Sequence, residues 1–200
     1  MIVCKFGGSS IGNSSNIINV KDILLQRVNN EKLIIVFSAI GKTTDLLIQV
    51  GNISSSGKEY KTELNNIIEY HMDIIKNLGI TDEIFFEEFN KLFKNINDIC
   101  KGLYYLKDFS NKNCDYLISH GERLSNLIIF YYFKKSFQNK NILLEEPTEY
   151  IYTDYNYGNA KIIESKTYQN LSKLSNKEFD LLIFPGFISK NESNYVTTLG

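Results

Sequence analysis

The sequence predicts an α/β fold built on a largely parallel β-sheet. Short apolar runs rich in β-branched residues alternate with longer segments whose apolar residues recur at helical spacing. Hydrophobic residues make up 43% of the 200-residue chain, which is enough to bury a sizeable core. No repeat, low-complexity tract or flexible linker divides the chain, so we expect one domain or part of one.

The first elements are a strand, a helix and a second strand. The run Ile2-Val3-Cys4 predicts a strand, and Asn13-Ser14-Ser15-Asn16 supplies capping side chains for a helix that ends at Asn29-Asn30. The continuous apolar run from Lys32 to Ser38 is typical of a strand covered on both faces. The apolar face of the helix comprises Ile17, Val20, Ile23, Leu24 and Val28.

A mainly helical excursion follows, from Asp45 to about Lys107. Turn residues predict breaks near Ser54-Ser55-Ser56-Gly57 and at Gly79. Apolar residues form two stripes at helical spacing. The stripes are Leu64, Ile67, Ile68, Met72 and Ile75, and Phe85, Phe89, Leu92, Phe93, Ile96 and Ile99.

The second half of the chain continues the alternation. We predict a strand at Tyr116-Leu117-Ile118, a helix from Glu122 to about Lys135 and a strand from Asn141 to Leu144. A helix from about Asn159 to Leu174 and a strand from Phe179 to Phe184 complete the pattern. Such alternation predicts helices on both faces of the sheet.

Composition argues against several classes of protein. The net charge is −1 and no basic stripe alternates with aromatic residues, so a nucleic-acid surface is not expected. Cys4, Cys100 and Cys114 lack metal-ligand spacing and fit a reducing compartment. The apolar run after Met1 is too short for a signal peptide, and no later run approaches membrane-spanning length. We therefore expect a cytoplasmic protein that does not bind membranes.

The loop from Lys5 to Ser10 is the strongest candidate for a binding site. A lysine at the end of a strand, followed by Gly7-Gly8 and two hydroxyl residues before a helix, allows backbone amides to approach phosphate. Lys5 would supply a compact positive charge. A tight strand-to-helix turn with a solvated lysine explains the same residues, and the loop alone does not decide between the two.

A second loop runs from Ser38 to Asp45. Gly41-Lys42-Thr43 imitates the end of a P-loop, but Val36 stands where that motif needs a glycine, so the P-loop interpretation fails. A hydroxyl-rich turn at a strand end remains, which could bind a small polar ligand. The alternative is that Thr43 or Thr44 caps the following helix.

Two further loops follow predicted strands. Glu122 stands in the predicted first turn of a helix, where the helix dipole favours an acidic residue, or where a carboxylate could await a substrate ammonium group. His120 has no metal-binding companion at suitable spacing and is expected to be structural. The stretch Phe184-Pro185-Gly186-Phe187 indicates only a turn.

The order and spacing of these loops are more specific than any one of them. The segments KFGGSS, VFSAIGKTTDLL, ISHGERLS, FPGFISKN and TTLG, with TDYNYGNAKI at Thr153–Ile162, together resemble aspartate kinases of the amino-acid kinase family over essentially the whole chain. KFGGSS followed by NVKDILL is similar to the kinase part of bifunctional aspartate kinase–homoserine dehydrogenases.

The resemblance implies a three-layer α/β/α sandwich of the amino-acid kinase type. It implies ATP-dependent phosphorylation of the β-carboxylate of L-aspartate to 4-phospho-L-aspartate, the first step of lysine, threonine and methionine biosynthesis. ATP and Mg²⁺ would be the cofactors, L-aspartate the substrate, and the full-length protein a homo-oligomer.

The resemblance also assigns roles to individual residues. Lys5 would neutralise the transferring phosphate and act as the catalytic residue. Ser9 replaces a threonine more often found in the family and keeps its hydroxyl. The phosphate loop would comprise Gly7, Gly8 and Ser9, and the aspartate site would comprise Thr44 and Glu122, with Glu122 facing the ammonium group and Ser38 nearby.

In the family, the segment matching Thr197-Thr198-Leu199-Gly200 continues into Arg-Gly-Gly-Ser-Asp. Residues 1–200 are therefore expected to be a C-terminally truncated kinase domain without an ACT domain, to leave a sheet edge unpaired and to have little activity alone. Two alternatives stay open: another kinase of this fold, acting on glutamate, carbamate or a nucleoside monophosphate, or a non-catalytic remnant.

Overall fold

The computed structural model describes residues 1–199 and is built around a four-stranded parallel sheet. Its strands are β1 (Ile2–Phe6), β2 (Leu33–Phe37), β3 (Ile142–Leu144) and β5 (Leu181–Pro185), in the order β1-β2-β5-β3. All three pairings in this sheet are parallel. The carboxyl ends of the four strands therefore lie along one edge.

A smaller sheet is formed by β4 (Tyr152–Thr153), β6 (Ile188–Asn191) and β7 (Val196–Thr198). β4 pairs with β6 in parallel, and β6 pairs with β7 antiparallel. The helices are α1 (Ser14–Val28), α2 (Thr43–Ser55), α3 (Lys61–Asn77), α4 (Glu83–Leu106), α5 (Asn111–Ser136) and α6 (Glu164–Leu171). Short 3-10 helices span Gly8–Ile11, Pro147–Glu149 and Ser172–Asn176. Within residues 1–199, no helix has both the length and the apolarity needed to cross a membrane.

Alternate residues of β2 and β5 point to two separate cores. On one face, Leu33, Ile35 and Phe37 pack with residues of α1 to α5 in the larger core. On the other, Ile34 and Val36 pack in a smaller core with Leu182 and Phe184 of β5 and residues 171–179. The predicted α/β fold, with its mainly parallel sheet and both faces covered, is confirmed.

The helical excursion predicted for residues 45–107 is formed by α2, α3 and α4, with the predicted breaks between them. Asn13 caps α1 as expected, because its side chain accepts a hydrogen bond from the Asn16 amide (2.9 Å). One residue assigned to the α1 core face is misplaced, since Ile23 is 52% exposed.

The strand predicted at Tyr116-Leu117-Ile118 is wrong, because these residues lie inside the 26-residue helix α5. A run of three apolar residues is too short to distinguish a strand from a buried helix by periodicity. Gly121 does not break the helix; a Cβ there would lie 3.3 Å from Leu47 Cδ1 and from Thr43 Cγ2, so the missing side chain lets α5 approach α2. Glu122 is therefore in the middle of a helix, not in its first turn.

The helix predicted from Asn159 begins later, at Glu164, and the segment continues as the 3-10 helix Ser172–Asn176. Two apolar residues near the predicted start make sheet contacts instead. Ala160 forms a parallel bridge with Leu199, and Ile162 forms an antiparallel bridge with Thr153.

Asp115 joins α5 to the smaller sheet. Its carboxylate is 1% exposed and accepts hydrogen bonds from the Gly158 amide (3.0 Å), the Thr198 amide (2.9 Å) and the Thr198 hydroxyl (2.7 Å).

We expect Asp115→Asn to lower the free energy of unfolding by about 2 kcal/mol, because the amide NH₂ of the variant would face one of these donors. Urea denaturation measures the change, with Asp98→Asn on the exposed face of α4 as control. Equal midpoints for the two variants would contradict the assigned role.

Candidate active site

The first two loops at the strand ends are in direct contact. The Ser38 amide donates to the Phe6 carbonyl (3.2 Å), and the Gly41 amide donates to the Gly8 carbonyl (3.1 Å). A Cβ on Gly8 would lie 2.8 Å from the carbonyl oxygens of both Ala39 and Gly41, so the close contact requires glycine at this position. The parallel pairing of β1 and β2 thus places the two predicted binding loops side by side.

The glycine-rich turn has the donors that a phosphate group requires. Within residues 1–199, the amides of Gly8 and Ser9 donate to no protein acceptor. The turn is also held by α1, because the Asn16 side chain donates to the Ser9 carbonyl (2.9 Å). A Cβ on Gly7 would meet nothing within 4 Å, so the turn is open to solvent on that side. These properties fit an anion-binding turn.

Lys5 and Glu122 lie near each other beside this turn. Lys5 is exposed and comes from the carboxyl end of β1. Glu122 is 3% exposed, and its Oε2 has no hydrogen-bond partner among the described residues. Burial raises the pKa of Glu122 to about 8, although hydrogen bonding from the Ala39 backbone and the charge of Lys5 oppose the rise. A buried carboxyl with a free oxygen is a site for a cationic ligand group.

The second loop carries the hydroxyl residues Ser38 and Thr44. Ser38 follows β2 and is half-buried, and Thr44 lies half-buried in the first turn of α2. The alternative that Thr43 or Thr44 caps this helix is wrong, because Lys42 is the N-cap residue and no side chain caps the helix. The Thr43 hydroxyl donates instead to the Ile40 carbonyl (2.6 Å).

Two neighbours of Glu122 on α5 were missed by sequence reasoning. Ser125 Oγ and Asn126 Oδ1 are buried and, like Glu122 Oε2, lack partners within residues 1–199. Asn126 Nδ2 donates to the carbonyl oxygens of Phe37 (3.3 Å) and Glu122 (2.8 Å), which orients the amide. Their spacing of three and four residues from Glu122 identifies them once α5 is known to be continuous.

A cavity of about 410 Å³ begins at Asn126 and extends between α4 and α5. Its wall includes Pro185 and the ion pair of Arg123 with Glu146, whose atoms meet at 2.8 Å (Nη2–Oε1) and 3.0 Å (Nε–Oε2). Burial would raise the pKa of Glu146, but hydrogen bonds and charge from Arg123 outweigh it, and the pKa lies below its ordinary value. Arg123 is thus occupied by a protein carboxylate.

The turn after β5 and the segment after β7 complete the surroundings, whereas the predicted loop at His120 is part of α5. The Gly186 amide donates to the Phe37 carbonyl (2.9 Å), which draws the turn after β5 against the end of β2. Leu199 follows β7 and donates to the Phe187 carbonyl (2.9 Å), so the TTLG segment reaches the same edge, with Gly200 outside the described residues. His120, which was expected to be structural, is buried; its Nδ1 bonds the Tyr116 carbonyl (2.9 Å), and burial lowers its pKa to about 4.

Comparisons with known proteins identify the family of the chain. Residues 1–199 match the Amino acid kinase family. Chloroplastic aspartokinase 2 of Arabidopsis thaliana is 30% identical over 207 residues, covering 99% of this chain and 37% of that protein. Chloroplastic bifunctional aspartokinase/homoserine dehydrogenase 2 of the same plant is 26% identical over 207 residues, covering 98% of this chain and 22% of that protein.

Among solved structures, E. coli aspartokinase III in complex with aspartate and ADP superimposes with a TM-score of 0.85 at 24% identity, covering 100% of this chain and 43% of that one. The likeness shows a shared fold. The chain therefore spans less than half the length of each of these relatives. Since the family match extends over residues 1–199, the chain belongs to the amino acid kinase family.

Proposed function

We propose that the chain forms the phosphate-binding and acceptor-binding part of an aspartokinase. The reaction is transfer of the γ-phosphoryl group of ATP to the β-carboxylate of L-aspartate, giving 4-phospho-L-aspartate. The product leads to lysine, threonine and methionine. The observation that carries the proposal is the buried carboxyl of Glu122, which lies near Lys5 and whose Oε2 has no hydrogen-bond partner within residues 1–199.

The proposed residues separate into two groups by chemistry. The amides of Gly8 and Ser9, with Gly7 in the open turn, offer donors to phosphate oxygens, and Lys5 offers a positive charge. Glu122 offers an acceptor to the aspartate ammonium group. The two carboxylates of the substrate would be met by the hydroxyl donors of Ser38, at the end of β2, and Thr44, in the first turn of α2.

This division suits the reaction. A β-carboxylate with a solution pKa of about 3.9 is already ionised at neutral pH, so it attacks phosphorus without a general base. The new bond joins a carboxylate oxygen to the γ-phosphorus, and the bond to the β-γ bridging oxygen breaks to release ADP. The barrier arises largely from repulsion between two anions, which the Lys5 charge and the backbone amides would reduce.

ATP fits the donor set of the glycine-rich turn, since two amides there lack acceptors within residues 1–199. Mg²⁺ has no protein cage in the described part of the chain, where no three His, Cys, Asp or Glu residues form a group. Mg²⁺ is commonly bound through nucleotide phosphates with few protein ligands. When bound, the ion would neutralise phosphate charge.

Calorimetry of the chain with ATP present tests the acceptor. We expect L-aspartate to bind saturably. N-Acetyl-L-aspartate, which has no ammonium group to face Glu122, should bind with at least tenfold lower affinity. L-Glutamate, carbamate and a nucleoside monophosphate form the comparison panel. Hydroxylamine trapping of the acyl phosphate reports transfer itself.

Lys5→Met, which removes the charge at similar side-chain length, should weaken ATP binding, whereas Lys58→Met on the loop after α2 should not. If another compound of the panel binds more tightly than L-aspartate, the chain would belong to a different kinase of this fold. Absence of binding to every compound would support a non-catalytic remnant.

A further inference from the structure

Tyr70 of α3 lies where the two binding loops meet. Its hydroxyl donates to the carbonyl of Gly12 (2.6 Å), at the end of the glycine-rich turn. A Cβ on Gly41 would lie only 2.5 Å from the same hydroxyl oxygen, so the second loop packs directly against it. One side chain from the helical excursion thus contacts both loops of the proposed phosphate and aspartate sites.

Two backbone hydrogen bonds join the loops, and the one from the Ser38 amide to the Phe6 carbonyl lies at the strand ends. Gly8 and Gly41 share a single backbone hydrogen bond, and Gly41 adopts a left-handed conformation (φ +56°). Glycines in such turns sample many backbone conformations unless neighbouring groups restrain them. Tyr70 provides this restraint, because a hydroxyl bound to Gly12 occupies the space into which Gly41 would otherwise move.

His71 follows Tyr70 on α3 and packs beside it. The imidazole is fully buried, and Nδ1 donates to the Ile67 carbonyl of the same helix (2.8 Å). Nε2 lies 3.5 Å from Thr43 Oγ1, whose proton is donated to the Ile40 carbonyl. Burial lowers the pKa of His71 to about 4, so the ring is neutral at physiological pH. The ring packs edge-on against Tyr70, with 5.4 Å between centroids.

We propose that Tyr70 is a positioning residue that sets the separation of the glycine-rich turn from the Ser38–Thr44 loop, and so the geometry in which phosphate is bound. The inference rests on the proposed function for its ligand and names a residue that does not itself touch substrate. Burial raises the pKa of Tyr70, which keeps the phenol protonated and able to donate.

The test compares Tyr70→Phe with Tyr60→Phe, which removes a hydroxyl that faces Asn97 on α4 instead. Hydrogen exchange and glycine amide NMR signals report the loops, and calorimetry with inorganic tripolyphosphate reports the phosphate site. We expect Tyr70→Phe to speed exchange of the Gly41 amide and to weaken tripolyphosphate binding, each by about fivefold, as for one lost hydrogen bond. Both melting temperatures should stay within about 4 °C of the unmodified chain, the shift that one lost hydrogen bond gives in a chain of this size.

The possible results separate the two ideas. If the unmodified chain binds no tripolyphosphate, the proposed phosphate function fails, and the positioning role fails with it. If the unmodified chain binds tripolyphosphate and Tyr70→Phe binds it equally well, the positioning role is overturned and the phosphate site stands. This holds even if hydrogen exchange of the Gly41 amide is faster in the variant. Equal losses in Tyr70→Phe and Tyr60→Phe, tracking a lower melting temperature, would show a merely structural role.

Discussion

Glu122→Gln is expected to abolish measurable binding of L-aspartate. The carboxyl is buried, its Oε2 lacks a partner within residues 1–199, and an ammonium group placed there would be paired with a neutral amide in the variant. Leaving a buried charge without its counter-ion costs about 3 kcal/mol or more, which is more than a hundredfold in affinity. Calorimetric titration of the two proteins measures the difference.

The same residue makes binding depend on pH. Because the pKa of Glu122 is about 8 in the free chain, the carboxyl is mostly protonated at pH 7. An ammonium ligand favours the ionised form, so binding releases a proton and the affinity should rise as the pH increases from 6 to 8. Glu122→Gln, which has no titrating carboxyl at this position, should show no measurable binding at any pH in this range. Titrations in two buffers of different ionisation enthalpy count the proton released.

Stability should change with pH in the opposite sense. The pKa of Glu122 is raised from 4.5 to about 8 on folding, so the folded chain binds more protons than the unfolded chain between these values. The contribution of Glu122 to stability is therefore complete below pH 4.5 and declines as the pH rises toward 8. Glu122→Gln should be more stable than the parent at pH 8, by on the order of a few kcal/mol.

Glu87→Gln, at an exposed position on α4, is the control for both effects. It removes a carboxylate without changing a buried site, so its affinity and its pH profile should match those of the parent. A parent chain whose aspartate affinity is constant from pH 6 to 8 would contradict the assigned state of Glu122.

The sequence was most informative where local chemistry is decisive. Glycine pairs, capping side chains and β-branched runs act over a few residues, and the strands Ile2–Phe6 and Leu33–Phe37 with their following turns were predicted closely. A parallel sheet then brings consecutive strand ends to one edge. The proximity of the Lys5 loop to the Ser38 loop follows from these two facts.

Tertiary packing decided what the sequence could not. Glu122 was expected in a first helical turn, but buried packing extends α5 back to Asn111, so the carboxyl emerges from the helix centre. Tyr70 and Asn126 carried no signal at all, because their contacts with Gly12 and Phe37 span 58 and 89 residues. The elevated pKa of Glu122 likewise results from burial, which residue type alone does not reveal.

Gly8→Ala is expected to disrupt the site although it adds one methyl group. The new Cβ would lie 2.8 Å from the Ala39 and Gly41 carbonyl oxygens, and both obstacles are backbone atoms that a side-chain rotation cannot move. The two loops must separate, which lengthens the hydrogen bond from the Gly41 amide to the Gly8 carbonyl (3.1 Å). We expect a loss of about 2 kcal/mol in stability. Tripolyphosphate binding should become undetectable.

Gly7→Ala tests whether the steric clash at position 8, and not a general requirement for glycine throughout the turn, explains the effect of Gly8→Ala. A Cβ on Gly7 would have nothing within 4 Å, and Gly7 has ordinary extended backbone angles (φ −77°, ψ 168°) that alanine adopts readily. This variant should fold with unchanged stability and keep its tripolyphosphate affinity within about twofold, since its amide count is unaltered. Thermal unfolding and calorimetry on both variants give the comparison. If Gly7→Ala and Gly8→Ala lose stability equally, contact between the two loops is not what makes glycine necessary at position 8.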